Sequence, residues 1–274
     1  MKPDTDLMLE DASTVDLEKA ITANWSASIR TFGLAPQVEL YDTPELQWFI
    51  SGVPSGSMNG VQYSNLPEEK LDATIKEVIV HFNAREVPFG WLTGPCTHPV
   101  NTAERLRAFG FQTVAQLEGM ALDLRRAVNN PPLPEGLTIE PVNTSESLEE
   151  WLTAETVGFE IEEAEIEGFN ALRRGMGFGA HLPFLRFLGK LNNVPVATAT
   201  LVQGGGVAGI YDISVVPDAR RQGIGAAITL AALREGQTLG YRYAVLQPTE
   251  MGKPLYESLG FRTVCTYQAH AFFS

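Results

Sequence analysis

The chain has 274 residues, of which 44% are hydrophobic and 19% are charged, so it can bury a sizeable core in one or two domains and disorder is not expected. Its formal net charge of −13 opposes extended contact with a phosphate backbone or an anionic membrane, which argues against nucleic-acid and membrane partners. The first ten residues are polar and acidic, and no apolar run approaches the roughly 20 residues of a spanning helix, so the sequence predicts a soluble cytoplasmic protein.

The first half of the chain predicts strands and helices in alternation. The predicted elements are a strand at 60–65, a helix that begins near Leu66, a strand at 91–95, a helix at 102–109 and a strand at 113–124. Glu68 and Glu69 stand at the start of the first of these helices, where carboxylates suit the helix dipole but would repel a phosphate. No glycine opens the backbone there, so we expect this turn to bind no anion.

A proline-rich segment near the middle of the chain predicts a domain boundary. Residues 129–136 hold three prolines and a glycine, which stiffen a connection and cannot continue a helix. The predicted domains are therefore 1–130 and 131–274. Leu106–Val114 and Tyr256–Val264 are similar segments, one in each half, and each predicts a short helix stopped by a glycine and followed by a strand. The repetition favours a tandem of related domains, although any helix-to-strand joint can look like this.

The second half predicts a mixed sheet with helices between its strands. The predicted elements are strands at 137–142, 184–190, 196–202, 208–216, 243–247 and 263–272, and helices at 146–156, 224–239 and 253–259. A glycine-rich turn at 204–209 matches the dinucleotide pattern, but a strand and not a helix follows it, so we reject that function. The two cysteines and four histidines lack the spacing of a disulfide framework or a metal site, and neither is expected.

The segment Arg220-x-x-Gly223-x-Gly225 follows the strand at 208–216 and opens the next helix. Free backbone N–H groups, the positive end of a helix dipole and two arginines meet at such a turn, and glycine lacks the Cβ that would hold an anion away. This combination suits a pyrophosphate. The alternative is an ordinary exposed helix start with solvated arginines.

Together with Leu255-Tyr256-Glu257-Ser258-Leu259-Gly260-Phe261, this turn resembles the GNAT superfamily of N-acetyltransferases over residues 137–274. The resemblance implies an α+β fold with two GNAT-like domains, each a mixed, mostly antiparallel sheet flanked by helices. It also implies that acetyl-CoA is the cofactor of the second domain. The first domain would be a degenerate copy without the cofactor motif.

The resemblance further implies where acetyl-CoA would bind: the fourth strand would contact the pantetheine arm, and the turn after it would wrap the pyrophosphate. The implied cofactor-binding residues are Ile213, Ser214, Val215, Arg220, Arg221, Gln222, Gly223, Ile224, Gly225, Ala226 and Thr249. Thr249 stands where the family often has an asparagine, so it can donate one hydrogen bond but offers no amide pair. Tyr256 would point its phenol at the thioester sulfur as general acid, the alternative being a tyrosine that packs a helix face.

The general base is harder to assign from the sequence. An acceptor amine with a pKa of about 10.4 is mostly protonated at neutral pH, so a base or an ordered-water path is expected. Asp212 is the candidate, against a structural or solvated carboxylate, and strand alternation places it on the opposite face from Tyr211 and Ile213. The glutamate base of the family would fall at Gly209 and is absent. Five glutamates between 160 and 167 would attract a cationic amine or simply form a solvated face.

We therefore expect the second domain to transfer an acetyl group from acetyl-CoA to an amine of a small molecule or a peptide by direct attack. The first domain would pack against it, wall the acceptor cleft or hold a homodimer. A non-catalytic acyl-CoA-binding or regulatory module is the main alternative, and an interaction scaffold is the third.

Overall fold

The computed structural model describes residues 8–126 and 132–273. The elements of the N-terminal half are α1 (Thr14–Phe32), β1 (Glu39–Asp42), β2 (Leu46–Ile50), β3 (Asn59–Ser64), α2 (Glu68–Asn83), β4 (Phe89–Thr93), α3 (Thr102–Ala108) and β5 (Phe111–Asp123). The elements of the C-terminal half are β6 (Leu137–Pro141), α4 (Ser145–Gly158), α5 (Glu163–Met176), β7 (Phe184–Leu191), β8 (Val194–Gly204), β9 (Val207–Val215), α6 (Ile224–Thr238), β10 (Tyr243–Leu246), α7 (Lys253–Ser258) and β11 (Arg262–Phe272).

The predicted α+β fold is confirmed, and the predicted elements are present within a few residues of their expected limits. Helix α1 and strands β1 and β2 were not predicted, and the glutamate-rich stretch forms α5. The first part of the predicted linker, up to Pro131, lies outside the described residues. The domain limits at 130 and 131 stay a prediction.

All eleven strands belong to one sheet, and its order shows that the two halves exchange their last strands. The order is β1-β2-β3-β4-β11-β5-β10-β9-β8-β7-β6. The last strand of the C-terminal half, β11, pairs with β4, while the last strand of the N-terminal half, β5, pairs with β10. Strands β5 and β11 are also antiparallel partners of each other, at the centre of the sheet. Each half is therefore completed by a strand from the other.

The two halves have the same local order of elements around this centre. In each half a parallel strand pair (β3 with β4, and β9 with β10) is followed by a short helix and the exchanged strand. The repeated segments found in the sequence correspond to α3 with β5 and to α7 with β11. The chain is thus a tandem of related units that share one sheet.

Helices cover both faces of the sheet in the C-terminal half. Successive side chains of a strand point to opposite faces, so each face carries side chains that a helix can cover. On β8, Ala197, Ala199 and Leu201 pack in the core beneath α6. The opposite face of β8 carries Val202, which packs beside α5. Within the described residues, no helix is both long and apolar enough to cross a membrane.

Helix α1 joins the two halves on the face opposite α6. It begins at a capping box, in which Ser13 and Asp16 exchange side-chain and backbone hydrogen bonds. Its buried Asn24 donates to the carbonyl oxygens of Val202, Gly204 and Val207, at distances of 2.9 to 3.3 Å. A Cβ at Gly209 would lie only 1.8 Å from Asn24 Oδ1. Helix α1 therefore fills the space beside Gly209, and a side chain at that position would collide with Asn24.

Candidate functional site

Strands β9 and β10 diverge and leave part of β9 without a neighbour on one edge. The parallel pairs are Ala208 with Ala244 and Gly209 with Val245, whereas β9 continues to Val215. The opposite edge of β9 stays paired with β8 as far as Val215. A gap between two parallel strands exposes backbone donors and acceptors that a ligand with amide groups can use.

The turn after β9 presents a series of unused backbone N–H groups. Arg221 and Gly223 both have positive φ, of +61° and +80°, and Gly223 is the N-cap of α6. Ala227 N donates to Gly223 O, but none of the N–H groups from 221 to 226 donates to another atom of the described residues. Such N–H groups at the start of a 15-residue helix form an anion-binding arrangement. The geometry fits the pyrophosphate predicted at this turn.

Gly225 lies where α6 packs closely against its neighbours. A Cβ at this position would meet Leu255 Cδ2 at 3.4 Å and Val215 Cγ2 at 3.7 Å, which is ordinary contact. A small side chain can therefore be accommodated. Gly223 has a stricter requirement because few residues other than glycine adopt its left-handed conformation.

The two arginines of the turn have different environments. Arg220 donates to Val215 O at 3.0 Å and to Gly158 O at 2.9 Å, and it lies 3.3 Å from Glu160. Its side chain therefore connects the turn to the end of α4 and does not point into the turn. Arg221 is exposed and carries the charge that an incoming anion would meet first. Glutamates 160, 162, 163 and 167 are also exposed, which supports the solvated-face interpretation of the acidic stretch.

Tyr256 lies in the core beneath the diverging strands. Its side chain packs edge-on against Phe261 and lies beside Gly252, where a Cβ would be 3.0 Å from the tyrosine ring. The residue is 7% exposed, and burial raises the pKa of its phenol to about 12. No hydrogen bond within the described residues uses the phenol oxygen. A buried phenol with this pKa is protonated at neutral pH and can donate a hydrogen bond.

Thr249 and a polar cavity lie next to Tyr256. The Thr249 hydroxyl accepts a hydrogen bond from Gly252 N at 3.1 Å and keeps its own proton available. The cavity has a volume of about 210 Å³, and its lining residues are Gln116, Glu118, Pro248, Thr249, Glu250 and Lys253. Lys253 Nζ lies 2.6 Å from Glu118 Oε1, and this hydrogen bond lowers the pKa of Glu118.

Sequence reasoning missed Gln116 and Glu118 because they come from β5, the exchanged strand of the other half. Alternation along β5 indicates which side chains share a face, but no local pattern indicates which half that face completes. The strand exchange is what brings these two residues next to α7.

Asp212 does not follow the predicted alternation. The pairing of β8 with β9 shifts by one residue between Thr198–Ser214 and Thr200–Tyr211, so β9 contains a bulge. Tyr211 donates to Asn24 of α1, and Asp212 contacts Arg173 of α5, so both reach helices that cover the same face. The prediction that Asp212 and Tyr211 lie on opposite faces is therefore wrong, because the bulge interrupts the two-residue period.

The side chains around Asp212 also limit what it can do. Its Oδ1 accepts a hydrogen bond from Arg173 Nη2 at 2.7 Å. Ser214, another predicted site residue, has its hydroxyl 2.8 Å from Thr198 Oγ1 and is the partner of Thr198 in the pairing of β9 with β8. Within the described ranges, no three or more histidine, cysteine, aspartate or glutamate side chains are grouped so that they could hold a metal ion.

Comparisons with known proteins agree with this geometry. Residues 145–261 match the model of the acetyltransferase (GNAT) family. A GCN5-related N-acetyltransferase from Kribbella flavida is 19% identical, with a TM-score of 0.69 over 92% of this chain and 96% of that one. Another from Sphaerobacter thermophilus is 15% identical, with a TM-score of 0.58 over 96% of both chains.

A third solved structure has two such units in one chain. It is a tandem GNAT protein from the clavulanic acid biosynthesis pathway, 12% identical, with a TM-score of 0.60 over 96% of both chains. The search of curated proteins found no match. Residues 145–261 are therefore similar to the GNAT acetyltransferase family, and the chain as a whole has the fold of solved GNAT structures, a tandem GNAT protein among them.

Proposed function

We propose that the C-terminal half binds acetyl-CoA and transfers its acetyl group to an amine of a small molecule or a peptide by direct attack. The observation that carries this proposal is the run of unused N–H groups from 221 to 226, beside the gap between β9 and β10. The N-terminal half has no equivalent run at its own strand–helix turn, which begins with Pro67, Glu68 and Glu69. We therefore place one acetyl-CoA site in the chain.

The residues of the turn and of β9 would hold different parts of acetyl-CoA. The backbone from Arg221 to Ala226 would bind the pyrophosphate, and the exposed Arg221 would add positive charge. The backbone of Ile213 and the N–H of Val215, on the edge of β9 that β10 leaves unpaired, would pair with amide groups of the pantetheine arm, whereas Val215 O already accepts from Arg220. Thr249 would offer its hydroxyl proton to the same arm. When bound, acetyl-CoA supplies an activated acyl group with a thiolate as the leaving group.

Tyr256 is the proposed general acid. With a pKa of about 12, its phenol remains protonated at neutral pH and can donate to the sulfur as the carbon–sulfur bond breaks. A thiol has an ordinary pKa of about 8.5, so a complete proton transfer from this phenol is uphill unless the proton lost by the amine returns to the tyrosine oxygen. That return closes the proton balance for a neutral amine, which loses one proton as the thiol gains one. An amine that arrives as an ammonium ion first releases a further proton to a base or to water.

The polar cavity beside α7 is the proposed approach of the acceptor. Glu118 and Glu250 contribute carboxylates to its wall, and Lys253 contributes an ammonium group. Carboxylates next to the reaction centre favour an amine that arrives with a positive charge. The acceptor would thus contact both halves of the chain, because Glu118 belongs to β5. A base role of Asp212 stays a prediction.

The experiment compares Tyr256→Phe with Tyr241→Phe in the full chain. Tyr241 is equally buried in the same core cluster, so its variant controls for the loss of a buried hydroxyl. We expect Tyr256→Phe to lower kcat by a factor of about 100 or more, as for the loss of a general acid, while the Kd for coenzyme A changes by less than about threefold. The measurements are thiol release from acetyl-CoA with a panel of amines, and calorimetric titration with coenzyme A.

The outcomes separate the candidate functions. Coenzyme A binding without turnover on any amine would favour the non-catalytic module. Failure of the wild-type chain to bind coenzyme A would refute the proposed site. Full activity of Tyr256→Phe would refute only the role of the tyrosine.

A further inference from the structure

The bulge in β9 holds a residue in an unfavourable backbone conformation next to the proposed acetyl-CoA site. Asp212 has φ of +50°, a left-handed value that few residues other than glycine, asparagine and aspartate adopt. Its carbonyl oxygen accepts a hydrogen bond from Thr198 Oγ1 at 2.6 Å. The next three residues are Ile213, Ser214 and Val215, so the bulge sets the direction of the backbone that would meet the pantetheine arm.

A buried ionic cluster fixes this bulge from the side of α4 and α5. Arg173 of α5 donates from Nη2 to Asp212 Oδ1 at 2.7 Å and to Glu155 Oε1 at 2.6 Å, and from Nε to Glu155 Oε1 at 3.0 Å. The side chains of Arg173 and Glu155 are 6% and 1% exposed. Arg186 lies against the Trp151 ring, with its guanidinium carbon 4.8 Å from the ring centre, and balances the charge of the cluster.

A buried ion pair of this kind needs an explanation other than stability. Removing charges from water is costly, and an apolar replacement is often as stable. Burial raises the pKa of the Glu155 carboxyl to about 7, which reflects that cost. Buried charges are better suited to fixing one geometry than to adding stability, because only one arrangement satisfies every partner.

The equivalent bulge in the N-terminal half has no such cluster. The pairing of β2 with β3 shifts by one residue between Gln47–Tyr63 and Trp48–Val61, so Gln62 is an extra residue of β3 at a corresponding place. There, Gln62 accepts a neutral hydrogen bond from Trp25 Nε1 at 3.1 Å. None of the residues 61–63 has positive φ. The ionic contact occurs in the half to which we assign acetyl-CoA.

We propose that Arg173 is a positioning residue of the acetyl-CoA site: it holds Asp212 in the bulge, and so directs the backbone of Ile213 and Val215 toward the pantetheine arm. Glu155 keeps the Arg173 guanidinium in place by accepting hydrogen bonds from its Nη2 and Nε. This role rests on the proposed function. It assigns Asp212 to the support of the strand and not to proton transfer.

The test is a double-mutant cycle in the full chain with Arg173→Met, Asp212→Asn and the double variant. We expect each single variant to raise the Kd for coenzyme A and the KM for acetyl-CoA by about tenfold, and the double variant to add little, because both changes break one contact. Asp212→Asn leaves the Arg173–Glu155 pair intact, so it serves if Arg173→Met fails to fold. Arg173→Lys, which keeps the charge but not the forked donors, should restore only part of the affinity.

Arg174→Met is the matched control, because Arg174 is the next residue of α5 and pairs with the exposed Glu149 at 2.7 Å. It should leave the Kd for coenzyme A unchanged. The proposal is wrong if Asp212→Asn binds coenzyme A as the wild type does, and a fall in kcat alone would then assign Asp212 as the base. A wild-type chain that binds no coenzyme A would instead refute the proposed function.

Discussion

The turn after β3 and the turn after β9 occupy equivalent places in the two halves, yet they differ in charge, in backbone and in access. The first leads from Ser64 into α2 through Pro67, Glu68 and Glu69. The second leads from Val215 into α6 through two residues with positive φ, one of them Gly223. At the same point of one fold, the N-terminal half therefore presents carboxylates and the C-terminal half presents free N–H groups.

The two halves also differ in whether a ligand can reach the edge of the strand before the turn, and this difference has a separate cause. Beyond the paired part of β3 and β4, the chain returns so that His98 N donates to Ser64 O at 3.1 Å and Leu66 N donates to His98 O at 3.0 Å. These bonds close the edge that stays open on β9. The N-terminal half thus keeps the fold while its turn is acidic and its strand gap is closed, and either difference would suffice to exclude a pyrophosphate and a pantetheine arm.

The comparison also shows what the N-terminal half contributes to the structure of the C-terminal half. Strand β5 pairs with both β10 and β11, so it completes the sheet on which the candidate site lies. Helix α1 crosses to the other half, where Asn24 binds three of its carbonyl groups. The N-terminal half is thus a structural part of the sheet on which the candidate site lies.

The largest expected effect comes from giving the second turn the charge of the first. Glu69 is the second residue of α2, and Gly225 is the second residue of α6. We expect Gly225→Glu to weaken coenzyme A binding by a factor of about 100, equivalent to about 2.7 kcal/mol, because a carboxylate would face the pyrophosphate. Calorimetric titration of the full chain measures this effect.

Two neutral variants separate charge from size in that experiment. Gly225→Ala places its Cβ in ordinary contact with Leu255, so it should bind almost as the wild type does. Gly225→Gln has the size of glutamate without its charge, and its affinity should lie between the two. Equal losses for the glutamine and glutamate variants would show that space, not charge, distinguishes the turns.

The sequence was sufficient to predict the turn at 220–226 and the tandem fold because both depend on local chemistry. Glycine, arginine and a helix start are adjacent in the chain, and the helix–glycine–strand repeat is visible without knowing what it contacts. The confirmed α+β fold follows from the same local patterns. The site residues themselves remain predictions, although the geometry of the turn agrees with them.

The strand exchange, the bulge and the buried cluster could not be predicted in this way. Glu118 joins the cavity because β5 crosses to the other half, a choice of partner that no periodicity encodes. The bulge at Asp212 breaks the alternation on which its predicted direction depended. Arg173 and Arg174 are adjacent and of the same type, so the sequence does not distinguish them, yet Arg173 is buried and Arg174 is half-exposed.

A smaller effect is expected on the pH dependence of stability. Glu155, in the ionic cluster beside the β9 bulge, can titrate, whereas the neutral Trp25–Gln62 contact beside the β3 bulge cannot. Because the pKa of Glu155 is raised from 4.5 to about 7, the folded protein holds this proton more tightly than the unfolded chain does. Its contribution to stability is complete below about pH 4.5 and is lost as the pH rises through 7. Between pH 5 and pH 8, the wild type should therefore lose about 2 kcal/mol relative to Glu155→Gln.

Denaturant unfolding at several pH values measures that difference. Glu149→Gln is the control on the same helix, since the hydrogen bond from Arg174 lowers the pKa of Glu149. A carboxyl with a lowered pKa contributes stability above its ordinary value and loses it only on acidification, so the gap for this variant should stay constant from pH 5 to pH 8. A constant gap for Glu155→Gln as well would mean that its carboxyl is ionised throughout that range.

The smallest effect is expected from removing the charges of the first turn. In the double variant Glu68→Gln and Glu69→Gln, the Kd for coenzyme A should change by less than twofold, since the closed edge between β3 and β4 still excludes the ligand. Stability should fall by about 1 kcal/mol or less, because two carboxylates no longer face the positive end of α2, and added salt should reduce the difference. Thermal unfolding at low and high salt checks the second expectation. A second equivalent of bound coenzyme A would show that charge alone had closed the N-terminal turn, and the hydrogen bonds of His98 would then not be a barrier.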